Sequence, residues 1–220
     1  MLDTFLSLST GDQVLYLSVG MLLNGLMVAP ILTYVLPAYY GRYTGKSAGI
    51  LPVPAWLSWV IQECPAFLIP FASLVSSTGM SVPNTILVSV FCLHYFQRSF
   101  VYPMLMRSKN PVPISITFFA FVFCTYNGVL QSLALVHGPQ FDQSWLSSPQ
   151  FILGLGLFAT GFVGNIQSDA ILRNLRKPGE SGYKIPRGGV FEYVSAANYF
   201  CETLEWSGFA IACSNLSAGQ

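Results

Sequence analysis

Five charged side chains stand inside long apolar stretches of this 220-residue chain: Glu63, Arg98, Glu192, Glu202 and Glu205. A charge within a membrane-spanning helix is costly and usually faces the bundle interior or a water-filled cavity, so each is a candidate functional group. His94, Tyr95, Arg98 and Tyr102 share one side of a helix, and Asn198, Glu202 and Glu205 follow i, i+4, i+7 on another. Apolar surroundings favour the neutral form of a carboxyl, so Glu63 is expected to carry a proton that it can donate. A neutral acid beside a phenol can stabilise an oxyanion. Arg98 has a plainer alternative, pairing with a carboxylate simply to hold helices together.

The elements that must position these groups are membrane helices. The chain is 53% hydrophobic and 9% charged, against about 25% charged for a soluble globular domain. Crossing the hydrocarbon core takes about 20 mainly apolar residues, and six stretches qualify: 14 to 39, 55 to 75, 84 to 106, 113 to 137, 150 to 167 and 190 to 213. Their length, without the alternation of barrel strands, predicts an all-α polytopic helical bundle in a lipid bilayer, with kinks at Pro65, Pro70 and Pro103. Counted at 1.5 Å per residue from the expected cytoplasmic ends, Glu63 and Asn198 lie about 12 Å deep and Tyr95 about 16 Å, so the three could meet at one level.

Nine of the ten basic residues fall in alternate loops: Arg42 and Lys46, then Arg107 and Lys109, then Arg173, Arg176, Lys177, Lys184 and Arg187. The positive-inside rule places these loops in the cytoplasm and the N-terminus opposite, on the lumenal side. Asn215-Leu216-Ser217 is a glycosylation sequon on that lumenal side. A net charge of +1 gives no broad basic field for nucleic acid.

Cys64, Cys92, Cys124, Cys201 and Cys213 are scattered singly, a spacing that suggests buried free thiols and neither a metal site nor a disulfide framework. The first thirteen residues hold no Lys or Arg, so the first helix reads as a retained anchor. Short loops and no internal repeat make residues 1–220 one domain. The segment from Ser168 to Gly189 is the longest loop. Its five basic residues, with Gly179, Gly182, Gly188 and Gly189, suit wrapping around a polyanion, or else are solvated charges that only set topology. Gly154-Leu155-Gly156-Leu157-Phe158-Ala159 fits a dinucleotide-binding pattern but follows no strand; with Gly161 and Gly164 it reads as a surface for close helix approach.

Seven motifs stand out: Gln62-Glu63-Cys64-Pro65, His94-Tyr95-Phe96 with Arg98, Phe123-Cys124-Thr125-Tyr126-Asn127-Gly128, Asn165-Ile166-Gln167-Ser168-Asp169, Leu172-Arg173-Asn174-Leu175-Arg176-Lys177-Pro178-Gly179, Tyr183-Lys184-Ile185-Pro186-Arg187-Gly188-Gly189 and Asn198-Tyr199-Phe200. Together they resemble those of the steroid 5-alpha-reductase family. The likeness runs from Tyr40 to Ala212, with a lean to the type 1 enzymes.

The resemblance implies NADPH-dependent reduction of the 4,5 double bond of a 3-oxo-Δ4-steroid, in the endoplasmic reticulum membrane. It implies that Glu63 and Tyr95 bind the steroid 3-keto oxygen, and that Asn165, Asp169, Arg173, Arg176, Tyr183, Asn198 and Glu202 hold the cofactor. Trp56, Phe121 and Phe123 are candidate apolar walls for the steroid. The chain departs from the family in having Gln167 where histidine is usual, and in ending at Gln220 before an expected seventh helix and tail. A truncated, non-catalytic isoform that binds steroid or a full-length partner is the alternative. A transporter is disfavoured because the chain lacks paired, broken-helix halves.

Overall fold

A computed structural model describes residues 2–30, 51–107, 110–176, 180 and 182–214. The end of the first expected span, Tyr40, Arg42, Lys46, Lys109, Lys177, Pro178, Gly179 and the sequon at Asn215 lie outside the described residues. The chain divides into two compact units, Met1–Phe141 and Asp142–Gln220.

The first unit contains α1 (Leu2–Leu6), α2 (Thr10–Pro30), α3 (Ala55–Ser76), α4 (Val82–Phe96), α5 (Tyr102–Leu105) and α6 (Ile114–Leu135). Two extended dipeptides, β1 (Pro52–Val53) and β2 (Val112–Pro113), pair antiparallel just before α3 and α6, a short bridge that the all-α expectation did not include. It starts the two helices side by side. One turn further in, Ser58 and Thr117 share a buried hydroxyl hydrogen bond of 2.7 Å. Further along, Gly128 brings the backbones together: a Cβ there would lie 2.9 Å from the Pro65 carbonyl oxygen and 3.2 Å from Ala66 Cα.

Pro65 and Pro70 both lie within the continuous helix α3. Pro65 has no N–H for the carbonyl of Ile61, and the Cys64 thiol donates to that oxygen at 3.6 Å. Pro103 acts differently. Between α4 and α5 the helix widens into a π segment, Gln97–Val101, in which the Tyr102 N–H bonds to the carbonyl of Gln97. An α-helical register would press the Pro103 ring against the Ser99 carbonyl, and the wider turn relieves that clash.

Asn84, fully buried in the first turns of α4, ties that helix to the end of α6. Its amide donates to the carbonyls of Leu135 (2.8 Å) and Pro139 (3.3 Å), and its oxygen accepts the Phe141 N–H at 2.8 Å. Asn84→Leu is expected to destabilise the first unit by about 3 kcal/mol, because it strands buried backbone groups. Melting in detergent followed by size-exclusion chromatography checks this; an unchanged midpoint would show that water replaces the amide.

The second unit is an antiparallel hairpin of α7 (Pro149–Asn174) and α8 (Ala197–Cys213), with 3-10 turns at Gln143–Ser147 and Gly189–Glu192. Asp142 caps the first turn, and the Ser144 backbone and side-chain hydrogen bonds hold its carboxyl below the usual range. Ser148 caps α7 by accepting the Phe151 N–H, with Pro149 in the first turn. The hairpin packs on glycine: a Cβ on Gly161 would lie 2.4 Å from the Glu205 nitrogen, and one on Gly154 would lie 2.5 Å from the Ala212 nitrogen. Gly164 meets the Cys201 sulfur in the same way, at 2.7 Å. Gly154, Gly161 and Gly164 thus serve close approach, whereas Gly156 meets nothing within 4 Å.

Four helices are long and apolar enough to cross a membrane, within Thr10–Val28, Ala55–Ser76, Ile114–Leu135 and Pro149–Asn174. Three expectations change. The fifth stretch, expected to be the shortest, is the longest helix among the described residues, at 26 residues, and carries Ser168 to Asn174 as helix instead of loop. The third is interrupted by the π segment. The sixth begins only at Ala197 and has 17 residues, so Asn198 sits in its first turn rather than two turns deep. Glu192 falls in the preceding 3-10 turn, exposed, where it accepts the Gly188 N–H at 2.6 Å.

Candidate functional site

In the first unit the polar groups of α3, α4 and α6 meet at one level. Glu63 is half-buried on α3, and its Oε2 accepts from the Cys124 thiol of α6 at 3.7 Å. Tyr95, 7% exposed on α4, accepts a hydrogen bond at Oη from the Asn127 amide of α6 at 2.9 Å. Cys124 and Asn127 are three residues apart, about 4.5 Å along the helix axis. One turn of α6 therefore holds both the carboxyl and the phenol. The Tyr95 ring is fixed by Phe91 and His94, with ring centroids 4.8 and 5.0 Å away, and His94 is itself buried.

One turn toward the start of α3, Trp59 meets Tyr102 edge-on at 4.9 Å. The Arg98 guanidinium lies over both rings, 4.8 Å from Trp59 and 4.4 Å from Tyr102. Cation–π attraction thus lodges this charge in the π turn. The layer stacks directly on the carboxyl–phenol layer, since Trp59 and Glu63 are four residues apart on α3, and Tyr95 and Arg98 three apart in sequence.

Cys124 and Asn127 belong to the Phe123-Cys124-Thr125-Tyr126-Asn127-Gly128 motif, but their type and spacing alone assign them no partner. The usable signal was Gly128 beside them, a residue whose missing side chain permits the close backbone approach that such short side chains need. Trp56, Phe121 and Phe123, expected as apolar walls for the steroid, are 55%, 38% and 49% exposed.

In the second unit Asn165, Asp169 and Arg173 follow one another at i, i+4, i+8 along α7, and Arg176 lies just past its end. Asn165 and Asp169 are buried, at 2% and 7% exposure, and the Asn165 amide donates to the Asn198 carbonyl at 3.0 Å. Arg176 and Tyr183 are exposed. The expected single polar stripe of α8 is divided: Glu205 is fully buried against α7, whereas Glu202 lines an open groove with Tyr199, Thr203, Trp206, Ser207 and Ala210.

Beyond α7 the backbone folds back through Gly182, Gly188 and Gly189, all at positive φ (99°, 93° and 55°). A Cβ on Gly189 would stand 3.0 Å from Gln167 Oε1, so the residue that departs from the resembled pattern packs against this glycine turn. Lys184 pairs with Glu180 on the same segment. Amide, carboxyl and guanidinium groups along one helix end are chemically suited to the phosphates and ribose hydroxyls of a dinucleotide. Among the described residues no group of three His, Cys, Asp or Glu could hold a metal ion.

A family model described as 3-oxo-5-alpha-steroid 4-dehydrogenase matches residues 110–220. The chain is 48% identical over 176 residues to 3-oxo-5-alpha-steroid 4-dehydrogenase 1 of Macaca fascicularis, covering 79% of this chain and 66% of that protein. The type 1 protein of Mus musculus is 42% identical over 210 residues, covering 93% and 82%, respectively. The type 2 protein of Sus scrofa is 44% identical over 191 residues, covering 85% and 74%. The chain thus spans between about two thirds and four fifths of the length of these relatives.

Proposed function

Because the chain belongs to the 3-oxo-5-alpha-steroid 4-dehydrogenase family, we propose that it reduces the 4,5 double bond of 3-oxo-Δ4-steroids with NADPH. Testosterone, progesterone and corticosteroids are the substrate class, and the endoplasmic reticulum membrane the location, with six crossings and the basic loops in the cytoplasm. The observation that carries the reading is the joint anchoring of Glu63 and Tyr95 to one turn of α6.

The reaction moves charge onto the substrate's 3-keto oxygen. When bound, the reduced nicotinamide supplies a hydride to steroid C5. The C4=C5 π pair shifts to form an enolate, and Tyr95 with neutral Glu63 donates hydrogen bonds to O3 as negative charge develops there. Protonation of C4 completes the 3-oxo-5α-steroid. A thiol donor on Oε2 is compatible with a proton on the other carboxyl oxygen.

Asn165, Asp169, Arg173, Arg176, Tyr183, Asn198 and Glu202 are the proposed cofactor residues. Arg173 and Arg176 would counter phosphate charge, and a guanidinium fork suits the 2′-phosphate that separates NADPH from NADH. Asn165, already bonded to the backbone of Asn198, would keep the start of α8 against α7 while the cofactor binds.

The test is incubation in microsomal membranes with NADPH and a tritiated 3-oxo-Δ4-steroid, using the chain alone and the chain fused to the portion of a relative that lies beyond the match. The expected product is the 5α-steroid, lost in the Glu63→Leu/Tyr95→Phe double variant. Product from neither form would overturn the proposal and leave steroid binding without chemistry as the reading.

A further inference from the structure

Tyr95 is useful to an oxyanion only if its proton points at the substrate, and a phenol hydroxyl can rotate. The ring cannot: it is buried, in contact with Phe91 and His94. The O–H direction depends on the hydrogen bonds made around Oη. Oη accepts a hydrogen bond from Asn127 Nδ2 at 2.9 Å. An amide NH2 has protons and no acceptor, so the phenol proton cannot satisfy itself on that nitrogen and must turn to another acceptor. Donation into Oη also polarises the O–H bond and makes it a stronger donor. Asn127 is held in turn by its neighbour Gly128, whose backbone lies against Pro65 and Ala66 of α3.

We propose that Asn127 is a positioning residue that aims the Tyr95 hydroxyl proton at the 3-keto oxygen of the steroid. The inference rests on the oxyanion role given to Tyr95 above. It also assigns α6 a task in the reaction, with Asn127 setting the phenol and Cys124 contacting the carboxyl one turn away.

A double-mutant cycle tests it, with rates normalised to protein abundance. Asn127→Ala in the parent chain is expected to lower kcat at least about 10-fold with KM changed less than about threefold, since the interaction strengthens as charge develops. In the Tyr95→Phe background the same substitution should change kcat less than about twofold. Asn127→Asp should be at least as damaging as Asn127→Ala, because a carboxylate accepts the phenol proton instead of releasing it to the substrate.

A second measurement needs no turnover: the infrared carbonyl band of a bound steroid carrying 13C at C3, recorded without cofactor. The band should move toward its value in lipid on Asn127→Ala, and should not move further on Asn127→Ala once Tyr95 is phenylalanine. An equal kcat loss in both backgrounds, or an unmoved band with Asn127→Ala, assigns Asn127 to packing and overturns the inference. A Tyr95→Phe variant with parental kcat and carbonyl band would instead sink the oxyanion role of Tyr95 itself, a different result.

Discussion

Glu63→Leu is expected to lower kcat/KM for the 3-oxo-Δ4-steroid by about 10²- to 10³-fold, the usual loss when one oxyanion donor is removed. Abundance is expected to change less than turnover, because Glu63 is half-buried in an apolar helix that accepts leucine. Glu63→Gln should fall between parent and leucine. Its amide can still donate a hydrogen bond, but it is less acidic than a carboxyl and stabilises developing charge less well. The ordering parent, Gln, Leu is the informative result. Equal loss in Gln and Leu would assign Glu63 the role of a charge or a proton source, whereas parental turnover in both variants would remove it from the chemistry.

Gly161→Leu is expected to abolish folding of the α7–α8 hairpin, and Gly156→Leu to leave it intact. A Cβ on Gly161 would already lie 2.4 Å from the Glu205 nitrogen and 2.5 Å from the Cys201 carbonyl oxygen. Both are helix backbone and cannot rotate away, so the helices would have to separate. Overpacking typically costs about 1–3 kcal/mol even where side chains can yield; here the clash is with helix backbone, and separation would forfeit the close packing along the whole hairpin, which raises the cost further. Gly156 meets nothing within 4 Å, so leucine there would extend outward. Fluorescence-detected size-exclusion profiles of the two variants decide the matter. A monodisperse, parent-like peak for Gly161→Leu would mean that the helices do not pack as closely as described.

Helix α7 shows how local composition misleads. Its C-terminal part carries Gln167, Ser168, Asp169, Arg173 and Asn174, which read as the start of a polar loop. Nothing there breaks a helix: the first Pro-Gly pair is Pro178-Gly179, and the helix runs on to Asn174. At α8 the error has the opposite cause. The apolar stretch from Val190 suggested an early start, but the 3-10 turn ends at Glu192 and the helix begins without a side-chain cap at Ala196, so no residue type announced the boundary. The π turn before Pro103 was legible only as a kink, since relief of a proline clash can take several backbone forms.

The sequence by itself determined the membrane character, most helix positions and the chemical types available to the site, because apolar content and helical periodicity are properties of short segments. It named Glu63 and Tyr95 but could not supply their neighbours. Glu63 meets Cys124 across 61 residues, and Tyr95 meets Asn127 across 32. The first depends on α3 and α6 starting together at the β1–β2 bridge and closing at Gly128, the second on α4 being tied to α6, as Asn84 does at the Leu135 carbonyl. Only the tertiary structure decides them, because a hydrogen bond requires atoms about 3 Å apart, and no local pattern fixes the distance between two helices.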